Sequence, residues 1–366
     1  MIVVVDTNAF QGDPAMRRRD FRLLLSEHDR KTLRLAIPEV VLGELPKLYR
    51  EHLANASKKA ADGLAQLKNL DIETPSLSVP SLDAAQETYR MLLRLRLKEA
   101  EILMPPLPDT TVAALYQQAV NERRPFQGRG RGFKDALIWK TICELAKDDE
   151  VLLVTDNYKD FAESAERSDV LHQHLKEDLA ALGHPDDRVR VLENLKSLIA
   201  NHVPTSARHL EKARGLLNHD TDWASSLFET VNRALWHFDA TPQVTVVASR
   251  NVAVESVSVS QCDAQGAAIE DAFDIDEQNV SLEVLIEARL QFDFTAPTAS
   301  AEWFSEEHTD VEIDVWEDSF VQGHTGDRLV FVRYAIDFDT ETLKLGVPEQ
   351  LSAEDVPAET SPQRER

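Results

Sequence analysis

The chain has 366 residues, 43% of them hydrophobic, and a formal net charge of -24; that length suits two cores rather than one. The acidity is uneven. From Leu216 onward 8 Lys and Arg face 31 Asp and Glu (net -23), while residues 1–215 carry 32 against 33 (net -1), so only the second half is hostile to a polyanion. Cys143 and Cys262 fit no ligand spacing, and the apolar run before Asp6 is four residues long with no preceding positive charge; both features point to a reduced, cytoplasmic protein without a secretory signal or membrane span.

In chain order, residues 2–6, 34–38, 151–155 and 188–193 are short, β-branched runs that suit strands of a buried parallel sheet. Helical periodicity fills 20–25, 38–70, 82–103, 110–121, 133–147 and 157–181. Alternation of this kind predicts a three-layer α/β domain over 1–205. A helical connector is expected over 206–239. After it the period changes to two, as in Val280, Leu282, Val284 and Ile286, again at Val311, Ile313 and Val315, and over 330–338. That predicts a smaller, mainly antiparallel β domain over 240–347, rich in carboxylates. The tail 348–366 has the composition of a disordered segment.

Ligand-binding groups gather at the carboxyl ends of parallel strands. Two strands end in acids there, at Asp6-Thr7-Asn8 and at Thr155-Asp156-Asn157, although helix capping is the plainer role for each. Glu44 and Asp135 lie on the apolar faces of their helices, where a carboxylate needs a nearby cation. Taken together, these acids would meet at one rim. Crowded carboxylates raise one another's pKa, so the set makes sense as a hard-cation site, and oxygen ligands point to Mg²⁺ or Mn²⁺. Thr7, Asn8 and Thr155 are candidates to orient ligands or substrate. A basic segment, Arg123 to Lys134, precedes Asp135; Arg123, Arg124, Arg129, Arg131 and Lys134 are candidates to grip phosphates, with Phe126 to stack on a base. The bland alternative is a loop whose arginines pair with the acidic C-terminal half. The eleven histidines, His172 and His174 included, read as surface residues.

The combination resembles the PIN domain family: a strand ending Val5-Asp6-Thr7-Asn8, a helix with the E-x-x-x-x-E-L pattern at Glu39 to Leu45, an aspartate opening a helix at Gly132 to Ile138, and a strand followed by Thr155-Asp156-Asn157-Tyr158-Lys159-Asp160-Phe161. The four matches fall in family order and cover about residues 1 to 200. The resemblance implies a central parallel sheet flanked by helices and a metal-dependent endonuclease, RNA ahead of DNA as substrate, of toxin, defence or processing type. It assigns the metal to Asp6, Glu44 and Asp135, with the fourth position at Asp156, or at Asp160 with Asn157 assisting. The long helical insertion between Pro46 and Asn121 and the acidic β domain depart from the family pattern. A noncatalytic RNA- or protein-binding scaffold and a DNA or structure-specific nuclease stay open, as does a homo-oligomer or protein partner held through the β domain. A haloacid-dehalogenase-like phosphatase fits poorly, because Asn8 stands where its second aspartate belongs.

Overall fold

A computed structural model of the chain describes residues 1–70, 72, 79–127, 130–163, 170–238, 256–297, 311–317 and 319–355. The chain divides into two compact units, Met1–Val203 and Pro204–Arg366. In the first, β1 (Ile2–Val5), β2 (Arg34–Ala36), β3 (Val151–Val154) and β4 (Val189–Leu192) form a parallel sheet in the order β2-β1-β3-β4. All four residues of β1 and of β3 are buried, as strands covered on both faces require.

The connections are helical: α1 (Arg19–Asp29), α2 (Glu39–Asn69), α3 (Leu82–Glu99), α4 (Val112–Val120), α5 (Phe133–Leu145), α6 (Gln173–Ala181) and α7 (Leu195–His202). One core joins Val3, Val4, Leu35, Val41, Leu45, Trp139, Ile142 and Leu153 across sheet and helices. It also fixes the rim, since β1 and β3 pair in register and end side by side at Asp6 and Thr155. The expected helix over 157–181 is not continuous. A 3₁₀ turn at Tyr158–Asp160 comes first, and α6 starts only at Gln173, where His172 accepts from the His174 N–H and caps it.

The second unit holds α8 (Ala207–His219), α9 (Thr221–Leu235), β5 (Ser256–Asp274), β6 (Asn279–Pro297), β7 (Val311–Trp316), β8 (Phe320–Thr325), β9 (Arg328–Asp339) and β10 (Glu349–Asp355). Its antiparallel sheet runs β10-β9-β6-β8-β7, with β5 also paired to β6. Two expectations change. The stretch read as a connector consists of α8 and α9, whose Ala213, Trp223, Leu227, Val231 and Leu235 share a core with Val284, Ile286 and Val332 of the sheet. The segment read as a disordered tail begins with β10, paired to β9 from Glu349 to Asp355; the rest of that expectation, from residue 356, lies outside the described residues.

Candidate active site

Asp6 leaves β1 with 5% of its surface exposed, and both carboxylate oxygens are engaged. Its Oδ1 accepts the Thr7 N–H at 2.6 Å, capping the short 3₁₀ turn Thr7–Phe10, and its Oδ2 accepts the Thr155 hydroxyl at 2.6 Å and the Asn8 amide at 3.5 Å. Thr155 itself is fully buried and orients Asp6 from behind, the ligand-orienting one of the two roles expected of it. Asp135 stands in the first turn of α5. Asn157 donates from Nδ2 to Asp135 Oδ1 at 3.3 Å and to Asp160 Oδ2 at 2.6 Å, linking two acids 25 residues apart. Glu44, in the second turn of α2, is half-buried; it accepts the Thr7 hydroxyl at 2.6 Å and pairs with Lys134.

Electrostatically Asp6 and Asp135 are the strained pair. Burial pushes Asp135 from 3.8 up to about 6, helped by repulsion from Asp6 and Asp160 and opposed by the Asn157 hydrogen bond. Asp6 is also raised, by burial first and by the charge of Asp156, against the Thr155 and Thr7 hydrogen bonds and the Lys134 ammonium. Asp156 is exposed and is itself raised by partial burial; it reaches the site as a charge and is not among the residues lining the cleft.

That cleft, about 360 Å³, is lined by Asp6, Thr7, Asn8, Glu44, Lys134, Asp135 and Asn157, which the sequence had marked, and by Gln11, Lys47, Leu48, Glu51 and Ile138, which it had not. Lys47, Leu48 and Glu51 follow Glu44 by three, four and seven residues, so helical phase alone would have found them.

The basic segment behaves differently from expectation. Arg123 pairs with Glu177 at 3.0 Å and Asp178 at 2.9 Å and donates to the His174 carbonyl at 3.0 Å. Arg124 pairs with Asp160 at 3.3 Å. Both arginines pair with acids of their own unit while staying partly exposed, so a phosphate would have to compete with those acids for them. Phe126 is 2% exposed and packs against Leu115 and Ala136, which rules out stacking on a base. Arg131 and Lys134 remain exposed; Arg129 lies outside the described residues.

Whether a divalent cation suits these residues can be judged from the donors. Asp6 and Asp135 are oxygen donors that repel each other, and the two lysines lining the cleft are paired with other acids, Lys134 with Glu44 and Lys47 with Glu51. A hard cation commonly takes one or two carboxylates and keeps water and substrate phosphate for the rest; the pair fits that demand. A wider cage does not form. Among the described residues no group of three His, Cys, Asp or Glu side chains is arranged to hold a metal ion, and Glu44 and Asp160 are each paired with a basic residue.

Residues 3–161 match a family model described as PIN domain. No curated protein and no solved structure matches the chain.

Proposed function

With a PIN domain as the N-terminal part of the chain, we propose that this protein is a divalent-metal-dependent phosphodiesterase, an endoribonuclease that hydrolyses single-stranded or structured RNA in a toxin, defence or processing role in the cytoplasm. PIN domains are generally nucleases and typically need a divalent metal. The observation that carries the reading is the pair Asp6 and Asp135, two carboxylates held above their ordinary range at the mouth of one cleft. Perturbed acids of this kind concentrate where chemistry is done.

Mg²⁺ or Mn²⁺, when bound, supplies positive charge at the scissile phosphate and acidifies water. The residues supply the rest. Asp6 and Asp135 provide the negative charge that holds the cation. Thr155 and the Thr7 N–H keep the Asp6 oxygens in place, and Asn157 does the same for Asp135. Glu44 lines the cleft as a third acid beside Asn157 and the exposed Lys134, while Asp156 and Asp160 act on Asp6 and Asp135 by their charge from outside the lining; Lys134 and the exposed Arg131 are the cations assigned to the substrate phosphate. A water oxygen forms the new bond to phosphorus as the P–O3′ bond breaks, the departing oxygen takes up a proton, and the products carry 5′-phosphate and 3′-hydroxyl ends.

One observation favours a noncatalytic, RNA- or protein-binding PIN scaffold instead: Glu44 and Asp160 are each tied to a basic side chain. A single assay separates the readings. Total RNA and single- and double-stranded DNA are incubated with the wild type, Asp6→Asn and Asp135→Asn in Mn²⁺ or EDTA, and the ends are mapped. RNA cleavage that needs the metal and both aspartates is expected. Retention of RNA without cleavage would move the reading to the scaffold, and preferential DNA cleavage to a DNA or structure-specific nuclease.

A further inference from the structure

The second unit contains a cavity of about 400 Å³ that the nuclease reading does not use. Its walls are Thr230, Arg233, Ala234 and His237 on one face of α9 and just beyond its end, Tyr334 of β9, and the stretch Leu345 to Pro348 with Gln350. Those α9 positions recur at three- and four-residue spacing, beside the stripe Trp223, Leu227, Val231 and Leu235 that packs into the core. The volume lies in the range of small-molecule sites.

Three features set the chemistry of an occupant. Among the described residues no carboxylate lines the cavity, although the chain from Leu216 onward has nearly four acids for each basic residue. Arg233 is exposed, and among the described residues its side chain makes no ion pair or hydrogen bond, which leaves its planar fork to an anion. Tyr334 is 2% exposed and carries a buried hydroxyl with no hydrogen-bond partner among the described residues. Leu345, Pro348 and the strongly exposed Val347, 89% accessible, give the remaining wall an apolar character. A plainer role for Arg233, complementing the C-terminal end of α9, would bring its guanidinium to the last carbonyls. Among the described residues those contacts do not form.

We propose that this cavity binds a small organic carboxylate with an apolar body, the carboxylate on Arg233 with the Tyr334 hydroxyl, His237 and Thr230 as further donors, and the body against Leu345, Val347 and Pro348. A free acid and the C-terminal residue of a peptide share that chemistry, and probe size distinguishes them.

The test is calorimetric titration of the full chain with 4-phenylbutyrate, octanoate, the neutral 4-phenylbutanamide, and an acetylated hexapeptide ending in Phe. At least one acid should bind with a dissociation constant of about 1 mM or tighter, and the amide at least about tenfold more weakly. A peptide stronger than both free acids assigns the site to chain termini. Arg233→Gln should weaken the acid to the level of the amide. Tyr334→Phe keeps the ring, should melt no lower than wild type because a buried hydroxyl without a partner is removed, and should still weaken binding. Acid and amide of equal affinity, indifference to Arg233→Gln, or no binding by either acid or the peptide would each overturn the assignment.

Discussion

Two carboxylates that repel each other make the ionisation of the cleft oppose folding. Asp135 holds its proton more tightly in the folded chain, at about 6 against an ordinary 3.8. Its contribution is therefore fully present in acid and is lost as pH rises from about 4 through 6, a cost of up to ~3 kcal/mol at neutral pH. Asp135→Asn should melt above wild type at pH 7.5 and level with it near pH 4; a divalent cation should raise the wild-type melting temperature at pH 7.5 and leave the variant unmoved. A wild type that outlasts the variant at pH 7.5 without metal would contradict the repulsion. Thr155 acts in the opposite sense, since its hydroxyl favours the ionised Asp6. In Thr155→Val the loss should cost about 1–3 kcal/mol and move the acid limb of the rate profile to higher pH, measured as kcat against pH. An unshifted limb would reduce Thr155 to packing. Asp6 and Asp135 were legible in the sequence because an acid at a strand end or on an apolar helix face stands out. Thr7, Asn8 and Thr155 were marked as residues that could orient ligands, and Asn157 as one assisting the metal, but which acid each would hold was not legible. Thr155 lies 149 residues from Asp6, and Arg123 is tied to acids 54 and 55 residues away, separations that no local pattern encodes.

The element that aims Asp135 is α5, and its start depends on one backbone conformation. Gly132 is the N-cap with φ of 99°, and a Cβ there would lie 2.5 Å from the Pro125 carbonyl oxygen. Gly132→Ala should destabilise by more than about 1 kcal/mol and weaken metal binding, because the turn carrying Asp135 must shift. Gly130, at φ 71° with open space around it, is the control. Gly130→Ala should bear the backbone strain alone and keep metal affinity, followed by thermal melts and metal titration; equal metal affinity in both variants would show that the loop does not set the site. The four parallel strands were readable because each is a compact β-branched run. β5 was not, since register shifts at Val259/Gln261, Ala264/Gly266 and Ile269/Asp271 interrupt its period of two, and Ala, Gly, Gln and Asp fill it. β10 looked disordered by composition, and its strand exists through pairing with β9.

At the scale of the whole molecule the two units have separate cores. One buried cluster is drawn wholly from residues up to Leu198 and the other wholly from Ala213 onward, so neither needs the other's side chains to bury its own. The fragment Met1–Val203 should therefore fold alone, with a single cooperative melt. Its charge differs sharply from that of its tether: 29 Lys and Arg against 32 Asp and Glu (net -3) in residues 1–203, and 11 against 32 (net -21) in residues 204–366. A polyanionic substrate approaching the full chain meets the field of both, and that repulsion is screened over about 10 Å at 0.1 M salt. At low ionic strength the fragment should cleave RNA faster than the full chain, mainly through KM. The gap should close as salt rises toward 0.3 M, where the Debye length falls to roughly 6 Å. A gap that survives high salt would point to specific contacts by the acidic unit rather than its field, and a fragment slower than the full chain would make that unit part of substrate capture.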